Sequence, residues 1–237
     1  IFLYDIQSKQ MKNISAHTGV ANNQVAAFDP SSKRLFFTSN QGSEFSNLRT
    51  YDLTSGAIAV HETADWDITG TDFSRDGRLR FSQINQDGST VIRLFEGAQE
   101  KPLTLPKLPS GEMRCVNFSA SGKLMAFYVN GDRSPNNLHV YDFASKQSRK
   151  LTQSLSPAID PEDLVEAQVV RFKSFDGMTI PSIYYAPKNA SATNKVPAVL
   201  MVHGGPGGQT KRGYNSLAQY LANHGYAVLG INNRGSS

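Results

Sequence analysis

One cysteine in 237 residues, Cys115, leaves no partner for an intrachain disulfide. That excludes the small stapled scaffolds and any cysteine-built zinc cluster. It also tilts the compartment toward a reducing, cytoplasmic one rather than a periplasmic or secreted one. Long apolar runs are missing too: nothing approaches the roughly 20 residues that span a bilayer, so no membrane partner is expected. Charge of one sign is not concentrated. The net charge is +4, and Lys33-Arg34, Lys146–Lys150 and Lys211-Arg212 are separate clusters. Such dispersal reads as solvated surface and excludes a nucleic-acid footprint. His17, His61, His139 and His224 lack ligand spacing. Asp160, Glu162, Asp163 and Glu166 lack both a calcium-loop pattern and a histidine partner, so no metal and no cofactor is expected. The chain opens at Ile1 inside a strand-like pattern, IFLYDI, without an initiator Met or a signal-peptide pattern. An N-terminus further upstream is therefore expected.

What is present is a repeat. FDPSSKRLFF starts at Phe28, FSRDGRLRF at Phe73 and FSASGKLMAF at Phe118, each 45 residues after the last. A second marker travels with it, as LRTYDLTSG, VIRLFEGAQ and LHVYDFASK, and IFLYDIQSK at the start matches that marker alone. The Tyr-Asp pairs at Tyr4, Tyr51 and Tyr141 recur in register, which argues for a structural role. Asp76-Gly77, Asp87-Gly88 and Ser121-Gly122 suit hairpin turns. Short strands at this period are the signature of β-propeller blades. The expected architecture for residues 1–154 is a partial propeller of about three blades plus one leading strand. Propellers typically need about four to eight blades, so further blades are expected upstream. A generic β-sandwich explains equal intervals with matching flanks less well. Exposed blade edges favour self-association into a homo-oligomer.

The rhythm breaks over residues 155–166, which hold Pro157, Pro161 and the four acids and read as a solvated linker. Residues 167–237 follow a different pattern. Gln168–Ser174 and Met178–Ala186 read as strands around Asp176-Gly177. Val196–Val202 is a continuous apolar run suited to a strand buried on both faces. Tyr214, Leu217, Ala218 and Leu221 recur at helical spacing, Gly225 suits a helix C-terminus, and Tyr226–Ile231 reads as another buried strand. A strand–helix–strand unit implies parallel neighbours and an α/β sheet. Between that strand and that helix lies His203-Gly204-Gly205-Pro206-Gly207-Gly208-Gln209. Glycines at such a turn let backbone approach a ligand, and α/β-hydrolases take one oxyanion-hole N–H from this kind of loop. A phosphate loop is excluded because the Gly-Lys-Ser/Thr ending is absent.

VVRFKSFDGMTIPSIYYAP, PAVLMVHGGPGGQ and YLANHGYAVLGINNRGSS, in that order, resemble the prolyl oligopeptidase family of serine peptidases. The HGGP loop and NNRGS are closest to its acylaminoacyl-peptidase and dipeptidyl-peptidase-like branch. The resemblance implies a propeller followed by the N-terminal part of an α/β-hydrolase domain, and hydrolysis of short peptides in the intact protein. It places the oxyanion N–H on Gly205, the second glycine of the HGGP loop, and the catalytic triad beyond Ser237, so that this segment alone is inactive. Neither Ser236 nor Ser237 occupies a GxSxGG-like elbow. His203 precedes any elbow, whereas hydrolase triads run Ser, acid, His. It is expected to orient the loop through a ring hydrogen bond, not to act as the base. Gly204, Pro206 and Gln209 are expected to shape the loop, with Gln209 bonding free backbone groups, and Arg234 to form an ion pair. Two rivals stand beside this reading: a non-catalytic propeller binding module, and an esterase of the same fold.

Overall fold

The computed structural model describes residues 1–205 and 207–236. The leading segment is a two-stranded hairpin, β1 (Phe2–Tyr4) with β2 (Met11–Asn13), where a single strand is expected from the sequence. The Asp5 carboxylate accepts the Ser8 N–H at 2.6 Å and turns the chain back on itself.

Three four-stranded antiparallel meanders follow. The first is β3 (Asn23–Phe28), β4 (Arg34–Ser39), β5 (Asn47–Asp52) and β6 (Ile58–Glu62). The second is β7 (Asp67–Phe73), β8 (Leu79–Gln86), β9 (Ser89–Glu96) and β10 (Lys101–Leu103). The third is β11 (Glu112–Phe118), β12 (Leu124–Gly131), β13 (Ser134–Asp142) and β14 (Gln147–Lys150).

The repeated sequence markers have a local cause. The residue after each repeated Phe, namely Asp29, Ser74 or Ser119, accepts from the backbone N–H five residues on, at 3.0, 2.8 and 3.1 Å. Each also donates its own N–H to the carbonyl of that same residue at 2.9 Å. One short polar side chain thus closes the first turn of every sheet. The Tyr-Asp marker closes another: Asp52 accepts from Ser55 N at 2.7 Å and Asp142 from Ala144 N at 2.8 Å. The first strand pair of each sheet carries a register shift in the same place, between Val25 and Ala27, Ile68 and Gly70, and Arg114 and Asn117. These are β-bulges, which bend and twist the strand that bears them.

The sheets stack through shared apolar faces. Phe36, Leu48, Ile68 and Ile84 fill the layer between the first and second sheets. Phe81, Leu94, Met113, Met125 and Phe127 fill the layer between the second and third. Truncating a fully buried phenylalanine such as Phe36 or Phe127 to alanine costs about 3–5 kcal/mol. Charged groups are interior too, among them Asp29, Arg80 and Asp132. Arg80 is only 3% exposed, reaching Glu62 at 3.0 Å and Glu100 at 2.6 Å.

Residues 155–166 contain one turn of 3-10 helix, Pro161–Asp163, capped by Asp160. A mixed sheet follows, in the order β15 (Ala167–Lys173), β16 (Thr179–Tyr185), β18 (Ala227–Ile231), β17 (Ala198–Val202). Strands β17 and β18 run parallel, joined through α1 (Ser216–Asn223). Asn215 caps the helix by accepting from Ala218 N at 3.0 Å, and Gly225 ends it at φ +82°. Ala218, Gln219 and Ala222 face inward, while Leu217 lies exposed.

Strand β17 differs from expectation. It is an edge strand, and its side chains alternate, with Leu200 62% and Val202 70% exposed. Apolar continuity cannot distinguish two covered faces from one, and among the described residues only the face bearing Val199 and Met201 is covered.

Candidate active site

The loop leaving β17 at His203 is shaped by its own backbone. Gly205 sits at φ +65°, in left-handed space that residues with a Cβ avoid. Its carbonyl accepts from Gly208 N at 3.1 Å, which closes a tight turn. Gly208 is the glycine that packing demands. A Cβ there would lie 2.5 Å from the Gly204 carbonyl oxygen and 3.0 Å from His203 Nδ1. Gly204 and Gly205 are exposed, and the Gly205 N–H donates to no other described residue. Pro206, a residue expected to shape this loop, lies outside the described residues, as does Ser237.

His203 Nε2 lies 2.7 Å from Ser236 Oγ. Ser236 Oγ in turn donates to the Asn233 carbonyl at 2.7 Å. With the hydroxyl proton committed there, the imidazole must be the donor toward Ser236. A general base would need the reverse arrangement, so this contact is not a nucleophile–base pair.

The far side of the loop is held by a residue the sequence did not single out. Asn232, 4% exposed, accepts from Thr210 N at 2.7 Å and donates to Thr210 O at 2.9 Å. Gln209 was the expected backbone partner, but its Oε1 is shut off from solvent without a partner among the described residues. Asn232 fills that role because it reaches both backbone groups of one residue from the end of β18. Arg234 pairs with Asp176 in the turn between β15 and β16. Hydrogen bonds from Arg234 and from Met178 N hold the Asp176 carboxyl below its ordinary range.

Beyond Thr210 the chain docks on the antiparallel sheets. Asp132, on the turn between β12 and β13, accepts from Arg212 at 2.6 Å and from Gly213 N at 2.8 Å. Asn130 Oδ1 accepts from Tyr214 N at 3.1 Å, and Arg212 N donates to Gly88 O at 2.8 Å. Tyr185 Oη donates to Gly213 O at 3.0 Å. Burial pushes the Tyr185 phenol up to about 12, so it stays a donor across the ordinary pH range. Gln219 bridges the same seam, bonding Asp132 O and both backbone groups of Val165. Burial, with the Asp132 carboxyl beside it, pushes Glu166 up.

Comparison with known proteins locates this arrangement. No protein-family model matches the chain. Dipeptidyl aminopeptidase BIII of Pseudoxanthomonas mexicana is 29% identical over 216 residues, which is 86% of this chain and 31% of that protein. Dipeptidyl peptidase family member 6 of Caenorhabditis elegans is 26% identical over 54% of this chain and 20% of its own. Among solved structures, a prolyl endopeptidase matches at TM-score 0.81 and 16% identity, over 99% of this chain and 34% of that one. An acylaminoacyl peptidase of Pyrococcus horikoshii matches at TM-score 0.62 and 20% identity, over 87% and 32%. Homologues and structural neighbours of the chain are thus dipeptidyl aminopeptidases, prolyl endopeptidases and an acylaminoacyl peptidase. It spans about a third or less of the length of the relatives it matches. The stacked antiparallel sheets of residues 1–154 are similar to the propeller domain of prolyl oligopeptidases.

Proposed function

We propose that the chain is part of a serine peptidase that hydrolyses short peptides, in the manner of acylaminoacyl- and dipeptidyl-peptidases. In this reading residues 1–154 are a partial propeller, 155–166 a linker and 167–237 the opening of an α/β-hydrolase domain. The observation that carries the reading is the exposed Gly205 N–H. It is uncommitted among the described residues and sits on a turn leaving a parallel strand, in a chain whose relatives are dipeptidyl aminopeptidases.

A serine supplied by chain beyond Ser237 attacks the peptide carbonyl, a histidine takes its proton, and an aspartate holds that histidine. The Gly205 N–H and the N–H following the nucleophile stabilise the developing oxyanion. His203 and Ser236 hold the loop and take no part in proton transfer. The propeller restricts entry to short or unfolded peptides.

The test is Gly205→Ala in the full-length protein. A methyl group at φ +65° is disfavoured by about 1–2 kcal/mol, so the turn relaxes and re-aims the donor. The expected result is a fall in kcat of about 10-fold or more on a dipeptidyl anilide, with KM little changed. An unchanged kcat would remove Gly205 from the oxyanion hole. The 237-residue chain alone should show no turnover sensitive to a serine-directed inhibitor.

A further inference from the structure

We infer that Asn232 is a positioning residue for catalysis: its side-chain amide clamps Thr210 and thereby sets where the 203–213 loop presents the Gly205 N–H. This rests on the oxyanion role proposed above. The geometry is specific. One amide meets both the N–H and the C=O of Thr210, at 2.7 and 2.9 Å, as a neighbouring strand would. The clamp is rigid because Asn232 is 4% exposed and follows directly on β18. Gly230, on the same strand, lies so close beneath that a Cβ there would come within 2.5 Å of Thr210 Cγ2.

The turn after β18 holds the loop from both sides. Ser236 receives the His203 ring at the start of the loop, and Ser236 N donates to Asn233 O at 3.0 Å to close that turn. The loop's last residues, Arg212 to Tyr214, are fixed separately to the antiparallel sheets. Between His203 and Arg212, Thr210 is a point at which the loop is tied to its own sheet. Two residues before it, Gly208 closes the turn on Gly205. Losing the clamp frees the Thr210 side of that turn, and catalytic rate is sensitive to displacements near 1 Å.

The experiment uses two variants of the full-length enzyme, counted by active-site titration. Asn232→Ala removes both hydrogen bonds. Its expected effect is a kcat about 10- to 100-fold lower, KM within about 2-fold of the parent, and a comparable loss of affinity for a peptide boronate, whose tetrahedral adduct carries an oxyanion. Asn232→Asp supplies the distinguishing signature. A protonated carboxyl has one donor and one acceptor, as the amide does, while the carboxylate repels Thr210 O. The kcat of Asn232→Asp, as a ratio to the parent, should therefore rise as pH falls, and that of Asn232→Ala should stay flat. Parental kcat per titrated site in Asn232→Ala, with only thermal stability reduced, would overturn the inference. Should Asn232→Ala fail to fold, a pH-independent ratio for Asn232→Asp would overturn it equally. Gly205→Ala run in parallel separates the two ideas. If it too leaves kcat and boronate affinity intact, the oxyanion assignment itself has failed. If it is impaired and the Asn232 variants are not, only the clamp has failed.

Discussion

Gly208→Ala tests whether the loop is held by packing rather than by composition. The added methyl meets the Gly204 carbonyl oxygen at 2.5 Å and His203 Nδ1 at 3.0 Å. The first of these is backbone and cannot rotate away. Reaching ordinary contact requires the Gly204-Gly205 segment to move by about an ångström. A displacement of that size at the reacting centre is worth about 100-fold in rate, or about 2.7 kcal/mol. Gly207→Ala is the matched control, because a Cβ at that position meets nothing within 4 Å among the described residues. It should leave kcat within about 2-fold of the parent. The assay is turnover of a dipeptidyl anilide by the full-length enzyme, normalised to sites titrated with a fluorophosphonate. Equal behaviour of the two variants, whether both silent or both impaired, would refute the argument from the Gly204–Gly208 contact.

Two further predictions concern stability. Burial alone would raise the Glu100 carboxyl, but hydrogen bonds from His61 and Arg80 outweigh it and hold it at about 2. A shift from the ordinary 4.5 carries roughly 3 kcal/mol, and screening at a side chain 29% exposed lowers this to about 2 kcal/mol. That stability is present above pH 4.5 and disappears as pH falls through about 2, so urea midpoints measured across this window should drop in the parent. Arg80→Met should cost about 3–5 kcal/mol at neutral pH and flatten the acid limb; a midpoint unchanged from the parent at neutral pH would contradict it. Glu166 shifts the other way. Its raised carboxyl contributes most below the unfolded value of 4.5, and the contribution fades as pH rises. Glu166→Gln should therefore melt higher than the parent at neutral pH, by no more than about 2 °C at this solvent-facing position, with the two curves meeting in acid. A gain that grew in acid would contradict the sign.

The sheets were legible because their closing contacts are local. Asp29, Ser74 and Ser119 each bond a backbone five residues away, so the constraint repeats as visible sequence. The strand–helix–strand unit was legible for the same reason. What escaped is long-range. Asn232 meets Thr210 across 22 residues, and Asp132 meets Gly213 across 81, with no periodicity to mark either. Nothing in FSRDGRLRF marks Arg80 as buried, because its burial depends on Glu62 arriving from β6 and Glu100 from the turn before β10. Gly205 was recognisable through a motif, whereas Gly208 stands out only once the distance to the Gly204 carbonyl is known.

The three bulges recur at one place in each repeat, always in the strand that forms an edge of its sheet. The opposite edge of the second sheet, β10, is only three residues long. An incoming strand from another molecule needs a straight ladder of several unbroken pairs to template itself. Here the bent edge offers two or three before its direction changes. The same local kinks that let these sheets coil thus make each bulged edge a poor template for fibril-type growth.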